Sequence, residues 1–238
     1  MSFSKTGLAE DIRRFRLNAA ACSVIHTAVD LALFDPAKAD RAAGRSALGL
    51  APEHIAFGIV ARIQRHRKWH ELLAGFKQAH ARNPMLRLVI VGKGTHRKEL
   101  VDRPVREMGL ADAVIPAGYR SADYVNVVSA FDVKVFLVPG SDGTCRAVRE
   151  AMALGKPVMA VRTGMLPEMV EEGVTGALVE ASPEALAAGF LKLAADAGLR
   201  SRLGAAGREK ALGEFRPEIQ AAEVEAAYGK ALTFPVQS

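Results

Sequence analysis

From residue 55 onward the chain alternates short apolar runs with stretches whose apolar residues recur at helical spacing. Ile55–Val60 and Leu86–Val91 are near-continuous apolar runs, the pattern of strands buried on both faces. Between them Leu72, Leu73, Phe76 and Ala79 fall on one face of a helix. The second run closes in Gly92-Lys-Gly94, a helix is expected over 100–108, and Gly109 ends it. A short strand over 113–115 precedes Gly118, and Ser121 is placed to cap a helix running to Ala130. Strands are predicted over 133–138, Val158–Val161 and Gly176–Val179. Beyond Pro183 only helical patterns follow, over 184–195, 200–214 and 218–232.

The first fifty residues are less regular. The spacing predicts a helix over 8–17, a short apolar strand over 20–25 and an Ala-rich helix over 37–48, with connections between them. The strict alternation that follows predicts an α/β fold, a parallel sheet of about six strands with helices on both faces and a helical C-terminus. Right-handed crossovers would join the strands. In such sheets ligands sit at the carboxyl ends of the strands. Arg62, Gly92, Gly94, Gly118 and the segment 140–150 all fall there.

The 238 residues are half hydrophobic and 24% charged, with a formal net charge of +6, which describes an ordinary globular protein. Arg62, Arg65, Arg67 and Lys68 gather with His66 and His70, a solvated face or an anion site. Few aromatics interleave with them, so a nucleic-acid surface is not expected. The two cysteines, Cys22 and Cys145, suggest neither a disulfide framework nor a zinc site. Cys145 is a nucleophile in one reading and a small turn-filling residue in the other. Asp132, Lys134 and Arg162 break the longest apolar stretches, so no segment is expected to span a bilayer, and no leader pattern opens the chain.

Several common chemistries find no foothold. Gly92-x-Gly94 begins like the dinucleotide fingerprint, but Arg97 stands where its third glycine belongs. There is no phosphate-binding P-loop, no zinc-protease helix and no serine-hydrolase elbow.

The segment from Gly140 to Val158 carries the most information. An apolar strand ends in Pro139-Gly140, a Gly-containing turn follows, and a helix begins. Free backbone N–H groups at such a helix start favour anionic oxygens. Asp142 and Glu150 cannot help to hold phosphate, but they accept hydrogen bonds from hydroxyls. Phosphate beside a polyol suggests a sugar nucleotide. Each residue also has a plainer role: Glu150 pairs with Arg146 or Arg149, Asp142 is a turn or cap residue, and Arg62 and Arg67 are surface arginines. Gly164-Met-Leu-Pro-Glu168 is another strand-to-helix turn, with N–H groups free for a ligand or serving only as a connection.

Together these pieces resemble the carboxyl-terminal, donor-binding half of retaining glycosyltransferases of the GT-B fold, group 1 (family 4). The likeness runs from about Val24 to the end of the chain and rests on ordered motifs. These are Val29-Asp30 with Phe34-x-Pro36, Ala61-Arg62 with Arg67, Val89-Ile-Val-Gly-Lys-Gly94, Ala117-Gly-Tyr119, Asp132-Val133, Asp142 through Glu150 into Ala151-Met-Ala-Leu-Gly-Lys-Pro-Val158, Gly164-x-x-Pro-Glu168 and Gly173-x-x-Gly176.

The resemblance implies that Glu150 holds the ribose, that Asp142 contacts hydroxyls of the transferred sugar, and that Arg62 and Arg67 bind the diphosphate. It implies that Gly143, Thr144 and Cys145 face the donor with their amides, and that Tyr119 and Arg120 border the base. Gly92, Gly94 and Gly164 complete the expected donor site. The expected donor is a nucleoside-diphosphate sugar, and neither a metal nor another cofactor is expected.

Three departures stand out. Asp142 replaces a glutamate, and Arg67 stands where the family usually has lysine. The resemblance also implies an amino-terminal acceptor domain, which the short stretch before Val24 is not expected to form. Residues 1–50 are therefore expected to be linker and remnant of that domain, and residues 51–238 the nucleotide-sugar-binding domain. Residues 1–25 could pair with a second copy or with a separate acceptor-domain chain. A hexosyl-type transferase, cytoplasmic or peripheral at the inner membrane face, is the leading expectation. A non-catalytic nucleotide-sugar-binding module, or one subunit of a split transferase, is the alternative.

Overall fold

A computed structural model of the protein describes residues 1–138 and 145–233. Helix α1 (Lys5–Phe15), a single 3₁₀ turn at Ala19–Ala21 and α2 (Arg41–Ala47) precede the sheet. The sheet region then runs β1 (Ile55–Val60), α3 (Trp69–Arg82), β2 (Leu86–Val91), α4 (Arg103–Glu107), β3 (Val114–Gly118), α5 (Tyr124–Ser129), β4 (Val133–Phe136), α6 (Arg146–Ala153), β5 (Val158–Val161), α7 (Leu166–Met169) and β6 (Gly176–Val179). Helices α8 (Pro183–Ala195), α9 (Ala197–Glu214) and α10 (Pro217–Thr233) close the described chain.

The six strands form one sheet in the order β3-β2-β1-β4-β5-β6, every pair parallel. This is the parallel α/β sheet of six strands expected from the alternating pattern. Side chains of a strand point alternately to its two faces, so each strand feeds two cores. Phe57, Ile59, Leu88, Ile90, Val133 and Val135 pack under α3, α4 and α8. Ala56, Val89, Val91, Phe136, Val158 and Ala160 pack under α5, α6 and α7. Val29, Phe34, Leu48 and Leu50 are buried in that second core, so residues 29–50 pack as an integral part of the fold.

Asp132 ties α2 to the foot of the sheet. Its carboxylate accepts from Arg41 at 2.7 Å and from the Ala56 amide at 2.7 Å. Arg41 donates as well to the carbonyls of Ser129 and Phe131.

Three expectations need correction. Residues 20–25 are not a strand: Ala19–Ala21 is a 3₁₀ turn, and the only pairing nearby is an isolated parallel bridge of Ser2 with Val24. Among the described residues no strand of the six-stranded sheet lies alongside this run, so the pairing stops at that one bridge. The helix after β3 starts at Tyr124 with Asp123 before it, so Ser121 is not its cap. The helix placed at 100–108 opens with a wider π turn at Lys98–Asp102 before α4. Helix α1 has no buried residue. Its amino end instead holds a carboxylate, the amides of Lys5 and Thr6 each donating to Glu168 at 2.8 Å. No described helix is long and apolar enough to cross a membrane.

Gly92 and Gly94 are needed by packing. A Cβ on Gly92, whose φ is +145°, would lie 2.0 Å from the Ala61 carbonyl oxygen, and one on Gly94 would lie 2.1 Å from that of Ile63. The turn after β2 thus lies directly on the chain leaving β1, and the Lys93 carbonyl accepts from the Ile63 amide at 3.1 Å. G92A is expected to cost about 1–3 kcal/mol, the ordinary penalty of overpacking with a strained backbone, and to lower the melting midpoint by several degrees. A melt indistinguishable from wild type would show that this turn relaxes freely.

Candidate functional site

The strand order reverses direction between β1 and β4, and in an open parallel sheet that switch point leaves a crevice at the carboxyl ends of the strands. A crevice of about 750 Å³ lies there. Its wall is built by the chain leaving β1 (Ala61, Arg62, Arg67), the turn after β2 (Gly92, Lys93), the turn after β3 (Tyr119, Arg120, Ser121), the start of α5 (Tyr124) and the start of α6 (Cys145, Arg146, Ala147, Glu150).

The cations are held in different ways. Arg67 reaches across the crevice floor and donates from Nη1 to the Val138 carbonyl at 2.8 Å, bracing the two strands that flank the switch point. Arg120 donates to the Ala117 carbonyl at 2.9 Å and to Asp123 at 2.8 Å, which folds the turn after β3. Lys93 lies with Nζ 4.8 Å from the centre of the Tyr119 ring, a cation–π contact. Tyr119 is 66% exposed, an aromatic face at the crevice rim.

Cys145 precedes α6 in the left-handed region, φ 47° and ψ 38°, and is buried. The first amides of a helix point along its axis, and a helix start favours negative charge. Among the described residues Cys145 belongs to the second core, in keeping with the turn-filling role.

Glu150 is 3% exposed and sits one turn into α6. A carboxylate so deeply placed needs partners. Oε1 accepts from Arg146 Nε at 2.6 Å, and Oε2 accepts from the Tyr124 hydroxyl at 2.5 Å. Arg146 is one of the two arginines expected as partners, and it stands at helical i,i+4 spacing. Tyr124 was not foreseen. Burial first, then the Glu150 charge and the hydrogen bond, push the Tyr124 phenol far up, so it stays protonated. The hydrogen bond to Glu150 likewise pushes Arg146 up. Lys134, one strand below, is 0% exposed, and burial pushes its ammonium down to about 7 against the opposing pull of Glu150.

Of the residues singled out from sequence, the structure brings Arg62, Arg67, Gly92, Tyr119, Arg120, Cys145 and Glu150 to one crevice. Gly94 and Gly164 are not on its wall; Gly94 sits under the neighbouring turn, and Gly164, with φ +54°, turns the chain from β5 toward α7. Asp142, Gly143 and Thr144 lie outside the described residues. Lys93, Tyr124 and Arg146 were missed as wall residues. Lys93 stood inside a glycine motif already in view. In the sequence Arg146 stands out only as a salt-bridge partner of Glu150. Nothing in the local pattern distinguishes Tyr124 from a core aromatic.

Comparison with known proteins places the chain in a family. The glycosyl transferases group 1 family matches residues 40–210, and the chain belongs to it. A curated relative, the D-inositol 3-phosphate glycosyltransferase of Mycobacterium sp. (strain KMS), is 36% identical over 163 residues, which is 66% of this chain and 35% of the relative. Among solved structures, Anabaena HepE in complex with UDP and glucose superposes with a TM-score of 0.85 at 23% identity, covering 96% of this chain and 62% of that one. The C-terminal domain of a group 1 glycosyl transferase (LpcC) from Francisella tularensis superposes with a TM-score of 0.67 at 22% identity, covering 79% of this chain and 99% of that domain. The chain thus matches about a third of that curated relative's length, and its fold is that of one GT-B half.

Proposed function

We propose that the chain is the donor-binding half of a retaining sugar transferase, which takes a sugar from a nucleoside diphosphate. One observation carries the reading: Arg62, Arg67 and Glu150 line a single crevice at the switch point of the sheet. Two guanidinium groups suit a diphosphate through paired charge-assisted hydrogen bonds. The same groups offset the negative charge that grows on the diphosphate as it leaves, which is where a transferase most needs stabilisation. The start of α6 adds the field of its amides. Glu150 accepts from ribose hydroxyls, and the exposed ring of Tyr119 offers the base a stacking surface. In this reading Asp142 contacts the transferred sugar.

The cations of the crevice take the part that a divalent ion takes in other transferases, so the reaction is proposed to be metal-independent. The acceptor binds a further domain, as the greater length of the relatives suggests.

The test is calorimetric titration of the chain with UDP-, GDP- and ADP-sugars. One base series is expected to bind below millimolar concentration, and EDTA is expected to leave that binding unchanged. Absence of binding by all three series at millimolar concentration would overturn the site.

A further inference from the structure

We propose that Tyr124 is a positioning residue for ribose recognition: its phenol fixes the plane of the Glu150 carboxylate so that a vicinal diol can be accepted. The inference rests on the reading of the crevice as a nucleotide-sugar site and concerns a residue that the sequence pattern does not mark.

The geometry is specific. Tyr124 opens α5, and its ring meets Phe34 edge-on, with centroids 6.1 Å apart and planes at 84°. Phe34 is fully buried, so core packing sets the direction in which the phenol points. The phenol ends 2.5 Å from Oε2 of Glu150. Arg146 takes Oε1, but its side chain is 73% exposed and free to swing toward a ligand. Tyr124 is the durable tether and Arg146 the exchangeable one.

A carboxylate has about four lone-pair positions on its two oxygens. Tyr124 and Arg146 occupy one on each oxygen, and the others remain for ligand hydroxyls. A glutamate with three rotatable bonds would lose freedom when it clamps a diol; one already held by a packed phenol has lost that freedom in folding. The phenol suits this task because its burial beside Glu150 keeps it protonated. It therefore donates at every working pH and never competes with Glu150 for the ligand's protons. Lys134 below and Arg146 above are the charged groups that face this pair, and neither can replace a neutral donor aimed at Oε2.

The experiment uses the 238-residue chain. Binding of UDP, GDP and ADP is compared with that of their 2′-deoxy and 3′-deoxy counterparts, in wild type and in Tyr124→Phe. Wild type is expected to prefer the ribonucleotide. Tyr124→Phe keeps the ring and its contact with Phe34, and is expected to weaken the ribonucleotide by about tenfold, the scale of one hydrogen bond to a charged group, while leaving the deoxynucleotides nearly unchanged. Should Tyr124→Phe melt below the assay temperature, Tyr124→Met is measured in the same way. Equal loss for ribo- and deoxynucleotides would assign Tyr124 a packing role alone, and wild-type indifference to the ribose hydroxyls would remove the idea entirely. The first outcome leaves the nucleotide-sugar reading whole; the second removes the ribose contact of Glu150 from it and leaves the diphosphate contacts of Arg62 and Arg67. Failure of the wild-type chain to bind any of the three nucleotides would remove that reading as well.

Discussion

Replacing Glu150 by alanine is expected to weaken binding of the cognate nucleoside diphosphate by about 2 kcal/mol, roughly thirtyfold, the scale of lost hydrogen bonds to a charged acceptor. The argument starts from burial. At 3% exposure the carboxylate has little water to fall back on, and its two protein partners account for only part of its capacity. Removal also strands those partners: the Tyr124 hydroxyl loses its acceptor inside the crevice, at a further cost to stability of about 1–3 kcal/mol. Glu150→Gln separates the two effects. Its amide oxygen still accepts from Tyr124, so the melt is expected to recover, while the lost charge keeps binding weak. Titration calorimetry and thermal melts measure both. If Glu150→Ala binds UDP, GDP and ADP as wild type does yet melts lower, Glu150 serves only as the buried partner of Tyr124 and Arg146, the plainer role that helical spacing also allows.

How much of this was legible before the structure depends on the physics of each element. Ile55–Val60, Leu86–Val91, Val158–Val161 and Gly176–Val179 stand where the apolar runs place them, because strands covered on both faces have no polar alternation to blur their ends. Residues 20–25 look equally apolar, but strand formation needs an edge to pair with, and composition cannot supply one. Ser121 is a good cap by type, yet the turn made by Arg120 and Asp123 shifts the start of α5 to Tyr124. That Arg62 and Glu150 line one crevice depends on β1 lying beside β4, a strand order that hydrophobic pattern alone does not encode. What pointed to it was the habit of such sheets to bind at their carboxyl ends, together with the family resemblance. Tyr124 stayed hidden because its hydrogen bond joins elements 26 residues apart, and no local spacing rule spans that distance.

Lys134 leads to the second large effect, a stability that rises with pH. It lies on a central strand, so helices cover both of its faces, and the side chain is 0% exposed. Among the described residues its Nζ has no hydrogen-bond partner; the Phe136 ring lies 5.8 Å away. In the fold the ammonium is pushed from 10.5 down to about 7, by burial above all, with Glu150 pulling weakly the other way. Between those two values the unfolded chain holds one proton more than the folded chain. Folding then releases a proton, so stability climbs by about 1.4 kcal/mol for each pH unit across that window and is lost as pH falls toward its lower end. Burial pushes Lys156 down to about 8, which acts in the same direction. Comparison with Lys134→Met isolates the first contribution, because Lys156 is common to both proteins. Methionine keeps a long unbranched side chain in the same space without a charge to desolvate. The variant is expected to be more stable than wild type by a few kcal/mol near pH 7, and the gap is expected to narrow steadily toward pH 10 at the rate of about 1.4 kcal/mol per unit. Urea melts at four pH values suffice. A gap that stays constant from pH 7 to 10 would mean that Lys134 keeps its proton in the fold, and that its charge is answered from within the chain.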